Sequence, residues 1–300
     1  MRWRFLFPGF AVAALIGACA SPPNSHAPPP PTATPAPSPA PSPSPPRDAA
    51  TAAAIETVLA SEHRSAENRA RDARRHPLET LLFFGLKPDM TVVEVWPGAD
   101  GWYTEILAPL LAEHGKLYTA QLAPAPGNAF VTSSLKSFAD KLAAHPVLYG
   151  KVEVTALGAG ALIAPAGSAD LVLSFRNVHN WMSLGIARET FQAMHRALKP
   201  GGILGVVDHR GDPAKPQDPR AASGYVNEEF AIELIRSVGF ELVDRSEINA
   251  NPKDTKDHPQ GVWTLPPNYR LGNRDREKYE AIGESDRFTL KFRKKNGSAN

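Results

Sequence analysis

The sequence predicts an α/β fold: a mostly parallel sheet of seven strands in which the last strand is antiparallel, with helices on both faces. Two observations carry this. Between Thr91 and His209 five short apolar or β-branched runs, TVVEV, KLYTAQL, KVEVTAL, ADLVLSF and ILGVVDH, are interleaved with segments of helical periodicity. Right-handed crossovers turn that order into a parallel sheet covered on both faces. After the helical stretch EEFAIELIRSVGF come two more runs, ELVDRSEI and DRFTLKFRKK, with no helix between them. Strands joined without a crossover helix pair antiparallel more readily than parallel.

The chain starts outside this pattern. Arg2 and Arg4 precede an apolar run from Phe5 to Ile16 that is too short to span a bilayer, and small residues follow, as in an export signal. Ile16-Gly17-Ala18-Cys19 resembles a bacterial lipobox. The resemblance implies that residues 1–18 are a lipoprotein signal peptide and that Cys19 is the lipid-bearing first mature residue. It also implies that the protein is anchored at the periplasmic face of the envelope. Cys19 is the sole cysteine, so no disulfide can form within one chain and stability must come from a core.

Residues 19–46 read as a tether, because Ser21 to Pro46 is almost wholly Pro, Ser, Ala and Thr and holds 13 of the 30 prolines. Such a segment buries nothing and stays extended. Without the signal the chain carries 31 basic and 31 acidic residues, a balance that gives no electrostatic case for nucleic acid.

Residues 47–76 predict one charged helix. From Asp48 to His76 there are strong helix formers and neither Pro nor Gly, and Glu67 stands four residues before Arg71, a spacing suited to an exposed face. Arg64, Asn68, Arg69, Arg71, Asp72, Arg74 and His76 form either a solvated face or a lid that touches an anionic group. The domain proper is expected over 77–296. It opens with PLETLLFFGLKPDM, a short helix stopped by Gly85 and Pro88. A helix from Asn128 to Ala143 and another over RETFQAMHRAL follow, the latter stopped by Lys199-Pro200-Gly201-Gly202. The stretch from Asn249 to Ser285, rich in Pro, Gly, Asn and Asp, predicts a long surface loop.

This layout resembles the class I S-adenosylmethionine-dependent methyltransferases, with their Rossmann-like fold. The nearest likeness is to a bacterial group of exported methyltransferases, through ENRARDARRHPLETLLFFGLKPDMTVVEVWPG, GWYTEILAP, RNVHNW, LKPGG, VVDHR and DRFTLKFRK. The cofactor it implies is S-adenosylmethionine, and the partner a small-molecule acceptor.

In such a fold the turn after the first strand lets backbone amides approach the ligand, which Gly98 and Gly101 permit. The resemblance places Glu94 where a carboxylate faces the amino-acid end of the cofactor; otherwise it caps the turn. It places Trp96, followed by Pro97, where the motif has its first glycine, so Trp96 stacks on a ligand or plugs the pocket. Gln121 stands where an acid commonly grips the ribose hydroxyls, and an amide lacks that charge-assisted strength.

The fourth strand empties into Arg176-Asn177-Val178-His179-Asn180-Trp181, and the fifth ends at Asp208, His209 and Arg210. Ligands of open α/β sheets bind beyond the carboxyl ends of the strands, so both clusters lie on the functional edge. RNVHNW, which reads Asn-x-His, resembles the Asn- and His-bearing segment of small-molecule methyltransferases, and the resemblance places Asn177 at the cofactor and His179 and Asn180 at the acceptor. His179 or His209 could accept a proton near neutral pH. No pair among His63, His76, His179 and His209 has the i, i+4 spacing of a helical metal motif, so no metal is expected. Two functions remain: methyl transfer to a small acceptor, or ligand binding without transfer. A scaffold with no ligand would leave the polar edge unexplained.

Overall fold

Successive residues of the first strand, β1 (Thr91–Val95), belong to two different cores. Val92 packs with one hydrophobic cluster and Val93 with the other, as the pleat requires of a sheet buried on both faces. This is a computed structural model, and it describes residues 49–125, 127–158 and 160–296. The signal, Cys19 and the tether expected over 1–46 lie outside the described residues.

The first helices are α1 (Ala49–Ala60), α2 (Ala66–Ala70), α3 (Asp72–Arg75) and α4 (Pro77–Phe84). After β1 come α5 (Thr104–Leu111), β2 (Lys116–Leu122), α6 (Ala129–Ala144), α7 (Pro146–Tyr149), β3 (Glu153–Leu157) and β4 (Ala169–Phe175). The second half holds α8 (Val178–Leu184), α9 (Ala187–Ala197), β5 (Leu198–His209), α10 (Glu228–Arg236), β6 (Phe240–Ser246), α11 (Arg276–Ile282) and β7 (Arg287–Lys294).

The seven strands form one sheet in the order β3-β2-β1-β4-β5-β7-β6. The pairs β3–β2, β2–β1, β1–β4 and β4–β5 are parallel, and β7 runs antiparallel to both β5 and β6. The expected architecture is therefore the observed one. Ile55 of α1, Leu81 of α4 and Ile106 of α5 cover the Val92 face, while Trp181 of α8, Phe191 of α9 and Ile232 of α10 cover the Val93 face. All six are fully buried, each contributing roughly 1.5–3 kcal/mol of transfer free energy.

Three segments differ from expectation. Lys199-Pro200-Gly201-Gly202 is not a turn ahead of the strand. Leu198 already pairs with Ala169 and Ile203 with Leu171, so the four residues bulge out of β5 itself.

The single charged helix over 47–76 is instead three helices. Ser65 caps α2, its Oγ accepting the Asn68 N–H at 3.1 Å, and His76 takes a left-handed conformation between α3 and α4. Nor do the charges form a solvated face, since Arg64 and Arg75 are buried. Both guanidinium groups lie over the Trp102 ring, 5.1 and 4.6 Å from its centroid. Asp72 holds Arg64 at 2.6 Å, and Asn68 donates to Glu105. Glu67 does not hold Arg71, which reaches Glu284 at the other end of the chain.

Residues 249–285 are not a surface loop. They contain a 3-10 turn at Gly261–Thr264 and α11, and Asn249, Asp254, Val262, Thr264, Leu265, Tyr279, Glu284 and Ser285 are buried. Polar anchors hold the segment down. Tyr225 Oη and the His258 ring both bond the Asp254 carboxylate, and the Asn249 amide donates to Thr80 and Thr289.

Candidate active site

Val95 ends β1, and the chain turns sharply into left-handed backbone at Trp96 (φ 50°), Gly98 (φ 75°) and Gly101 (φ 53°). The two glycines serve different ends. A Cβ on Gly98 would meet nothing within 4 Å, so the backbone there faces open space. A Cβ on Gly101 would lie 2.8 Å from the Phe138 ring and 2.9 Å from Thr104 Oγ1, so this glycine lets α6 close on the turn.

Trp96 is half-buried, packs against the core and donates its N–H to Ala120 O at 2.8 Å. Pro97 is half-buried beside it. Gln121 is buried and donates its amide to Gly98 O at 3.0 Å, so it braces the turn from β2. Glu94 is buried with the Thr104 hydroxyl bonded to it at 2.6 Å. Burial pushes its carboxyl up to about 7, against the lowering pull of that hydrogen bond and of Lys141.

At the end of β4, Arg176 has left-handed backbone (φ 60°), held by its N–H to Val207 O at 2.7 Å. Asn177 turns its amide back onto β1 and donates to Val95 O at 3.0 Å and Trp96 O at 3.1 Å. The start of α8 is thereby tied to the turn.

Two residues on, His179 is locked from the other side. Asp208 Oδ2 accepts its backbone N–H at 3.0 Å, and Asp208 Oδ1 lies 2.9 Å from its Nδ1. Burial would raise the Asp208 carboxyl, but the His179 charge and the hydrogen bonds from His179 and His209 hold it below the usual range. An ionised Asp208 keeps the proton on His179 Nδ1 and leaves Nε2 as an acceptor.

The His209 ring stands 5.0 Å from the His179 ring, with its Nδ1 bonded to Ser285 Oγ. Burial and the nearby His179, Arg176 and Arg287 charges press its pKa well below the usual imidazole value, outweighing Asp208, so this ring is neutral.

A cavity of about 180 Å³ opens here, lined by Arg176, His179, Asn180 and His209 from the sheet edge and by Trp263, Pro267, Asn268, Glu284 and Ser285 from the C-terminal segment. His179, Asn180 and His209 thus gather as expected from the sequence, with Asp208 behind His179. Arg210 is spent elsewhere: Glu228 at 3.0 Å, Glu247 at 2.7 Å and Asp286 at 3.7 Å surround it, and it is not among the cavity-lining residues. His179, Asp208 and His209 also offer one metal-ligating atom each within 4.8 Å of one another, a grouping that helical spacing does not reveal. Both Asp208 oxygens, however, already accept N–H groups.

Sequence reasoning missed the far wall. Trp263 and the Pro266-Pro267 pair, joined by a cis peptide bond, lie in what read as surface loop. The signal was there in GVWTLPP, an apolar string with a tryptophan.

Neither a family model nor a curated protein matches the sequence. Among solved structures, the chain is similar to a SAM-dependent methyltransferase from Aquifex aeolicus, with a TM-score of 0.50, 17% identity and coverage of 81% of this chain and 97% of that one. It is similar to the [4+2]-cyclase SpnF, with a TM-score of 0.52, 17% identity and coverage of 79% and 86%. A putative sarcosine dimethylglycine methyltransferase from Galdieria sulphuraria gives a TM-score of 0.50 at 13% identity, covering 78% and 88%. At such identities the likeness is one of fold. Strand order and the antiparallel β7 agree with it, and the protein has the Rossmann-like fold of the class I S-adenosylmethionine-dependent methyltransferases.

Proposed function

We propose that the protein transfers a methyl group from S-adenosylmethionine to a small acceptor. One observation carries this reading: Asn177 bonds the glycine turn and, two residues on, His179 is fixed by Asp208, so that cofactor turn and proton acceptor form one rigid unit. Catalysis of methyl transfer rests mainly on alignment, and such a unit supplies it.

The residues at the turn fit the amino-acid end of the cofactor. Gly98 leaves open space for it, and the buried Glu94 carboxylate, with a hydroxyl as its hydrogen-bond partner, suits an α-ammonium group. At the ribose end Gln121 is engaged with Gly98 O, so β2 offers no carboxylate there. When bound, S-adenosylmethionine supplies a methyl group activated by its sulfonium. His179 Nε2 takes the proton that the attacking oxygen or nitrogen of the acceptor loses, and Asp208 stabilises the imidazolium so formed. Asn180, Trp263 and Asn268 bound the space in which the acceptor lies.

A second reading, ligand binding without transfer, is favoured by Gln121 and by the half-buried Trp96 at the turn. Calorimetry of the full-length protein with S-adenosylmethionine and S-adenosylhomocysteine tests the first step. Saturable binding of both is expected, and no heat with either overturns the cofactor assignment. Binding without any turnover of candidate acceptors would leave the second reading standing. The likeness to exported enzymes and the lipobox-like Ile16-Gly17-Ala18-Cys19 support a lipid-anchored protein facing the periplasm.

A further inference from the structure

Beside the cavity the charges do not balance. Arg71, Arg75 and Arg287 all converge on one buried carboxylate, Glu284. Arg71 Nε lies 3.0 Å from its Oε1, while Arg75 Nε and Arg287 Nη1 lie 3.4 and 3.3 Å from its Oε2. Burial alone would raise the Glu284 carboxyl, yet Arg75, Arg287, Arg176 and Arg71 together hold it at about 2. Its negative charge is fully claimed.

The fourth cation of that group, Arg176, has no carboxylate within 4.0 Å among the described residues, and its guanidinium makes none of the hydrogen bonds found there. It lines the cavity. Its backbone sits in a left-handed conformation costly to a residue with a side chain, held by the Val207 carbonyl and by the Asn180 amide on Arg176 O. Arg71 Nη2, Arg75 Nη2 and Arg287 Nε are buried without a hydrogen-bond partner. Arg176 alone of the four guanidinium groups lines the cavity, and the other three share Glu284, the carboxylate next to it, so the wall presents a cation whose charge is not compensated. Taking cations out of water without counter-charge is strongly unfavourable. Such a wall repels a metal cation and attracts an oxyanion.

We propose that this cavity is an anion site and that the acceptor is a small molecule whose carboxylate or phosphate group is held by Arg176. The inference rests on the methyl-transfer reading only in calling the ligand an acceptor; the anion site stands on the charges alone. Guanidinium suits such groups because its donors match two oxygens at once. Asn180, Asn268 and Ser285, also on the cavity wall, are the neutral hydrogen-bonding groups available to the rest of the ligand. With the anionic group on Arg176, the nucleophilic end of a short molecule lies beside His179 in the same cavity.

The same anion chemistry could come from the carboxylate of S-adenosylmethionine, and the test separates the two sources. Inorganic phosphate is titrated into the full-length protein by calorimetry at constant ionic strength, with chloride as the comparison salt. Saturable phosphate binding is expected. It should fall at least about tenfold in R176Q and less in R176K, which keeps the charge but loses the two-oxygen grip, with circular dichroism confirming that both are folded. A saturating level of S-adenosylmethionine should leave phosphate affinity unchanged. Phosphate no better than chloride for the wild-type protein, or equal binding by R176Q, overturns the anion site. Competition by S-adenosylmethionine assigns the arginine to the cofactor and overturns the acceptor class. Should R176Q fail to fold, the wild-type comparison with chloride and the competition arm still decide.

Discussion

His179 meets two demands at once, since the contacts that hold it for proton transfer also satisfy a fully buried carboxylate. An exposed rim residue could be truncated at a cost within about 0.5 kcal/mol. H179A instead deprives Asp208 of a partner, and a loss of about 2–3 kcal/mol in denaturant unfolding is expected. A methyl-transfer rate lower by about 10²–10⁴ should accompany it. D208N separates the two effects: it keeps the volume but no longer fixes the His179 tautomer, so the rate should fall more than stability does.

Glu94 makes a second claim at this scale. Its carboxyl is raised from 4.5 to about 7, so its neutral form is the one the fold prefers. The stability this contributes is fully present below about pH 4.5 and is lost as pH rises through about 7. E94Q removes that dependence. Wild type should lose about 2–4 kcal/mol relative to E94Q between pH 4.5 and 7.5 in urea titrations. A cofactor ammonium favours the ionised form, so wild-type affinity for S-adenosylmethionine should rise across that window and the E94Q affinity should not. Polar residue types at strand ends were enough to find His179 and Asp208 in the sequence. Arg176 and Arg210 sit in equally suggestive strings, but only their partners distinguish them: among the described residues three carboxylates surround Arg210 and none lies within ion-pair distance of Arg176.

At the scale of elements, the sequence is most informative where periodicity is strong and least where long-range polar contacts decide. The runs TVVEV, KLYTAQL and ADLVLSF coincide with β1, β2 and β4. The charged segment 47–76 and the segment 249–285 were misread for one reason: each buries its polar residues against partners far away in sequence. Arg71, Arg75 and Glu284 are that link, joining the N-terminal helices to the turn just before β7. E284Q leaves two buried guanidinium groups, Arg75 and Arg287, and the half-buried Arg71 without their anion. It should cost about 3–5 kcal/mol in chemical denaturation at neutral pH, as removing one member of a buried ion cluster does. Glu284 titrates at about 2 when folded against 4.5 ordinarily, so the stability it contributes is present above about pH 4.5 and is lost as pH falls toward 2. The gap between E284Q and wild type should therefore narrow in acid. A constant gap across that range would mean that the ion cluster adds nothing beyond packing.

At the scale of the whole molecule, the sheet and its covering helices were legible because alternation of strand and helix, followed by two strands without a crossover, leaves few topologies. That β6 and β7 pair antiparallel follows from the missing crossover helix, whereas the insertion of β7 between β5 and β6 is seen only in the structure. The attachment proposed for the domain is a separate matter, and it rests on composition at the other end of the chain. The pattern of Arg2 and Arg4, an apolar run, Ile16-Gly17-Ala18-Cys19 and a proline-rich stretch supports the proposal that Cys19 carries a lipid. No helix among the described residues is long and apolar enough to cross a membrane. Burying one acyl chain gives only marginal membrane affinity, and stable anchoring needs more than one chain. C19S removes every chain attached at this position. Labelled fatty acid should enter the wild-type protein and not C19S, and C19S should move from the membrane to the soluble fraction with its unfolding midpoint unchanged. Label in C19S would place the lipid elsewhere. Loss of label with retention at the membrane would mean that the folded domain itself binds the surface, contrary to a tether whose only purchase is at Cys19.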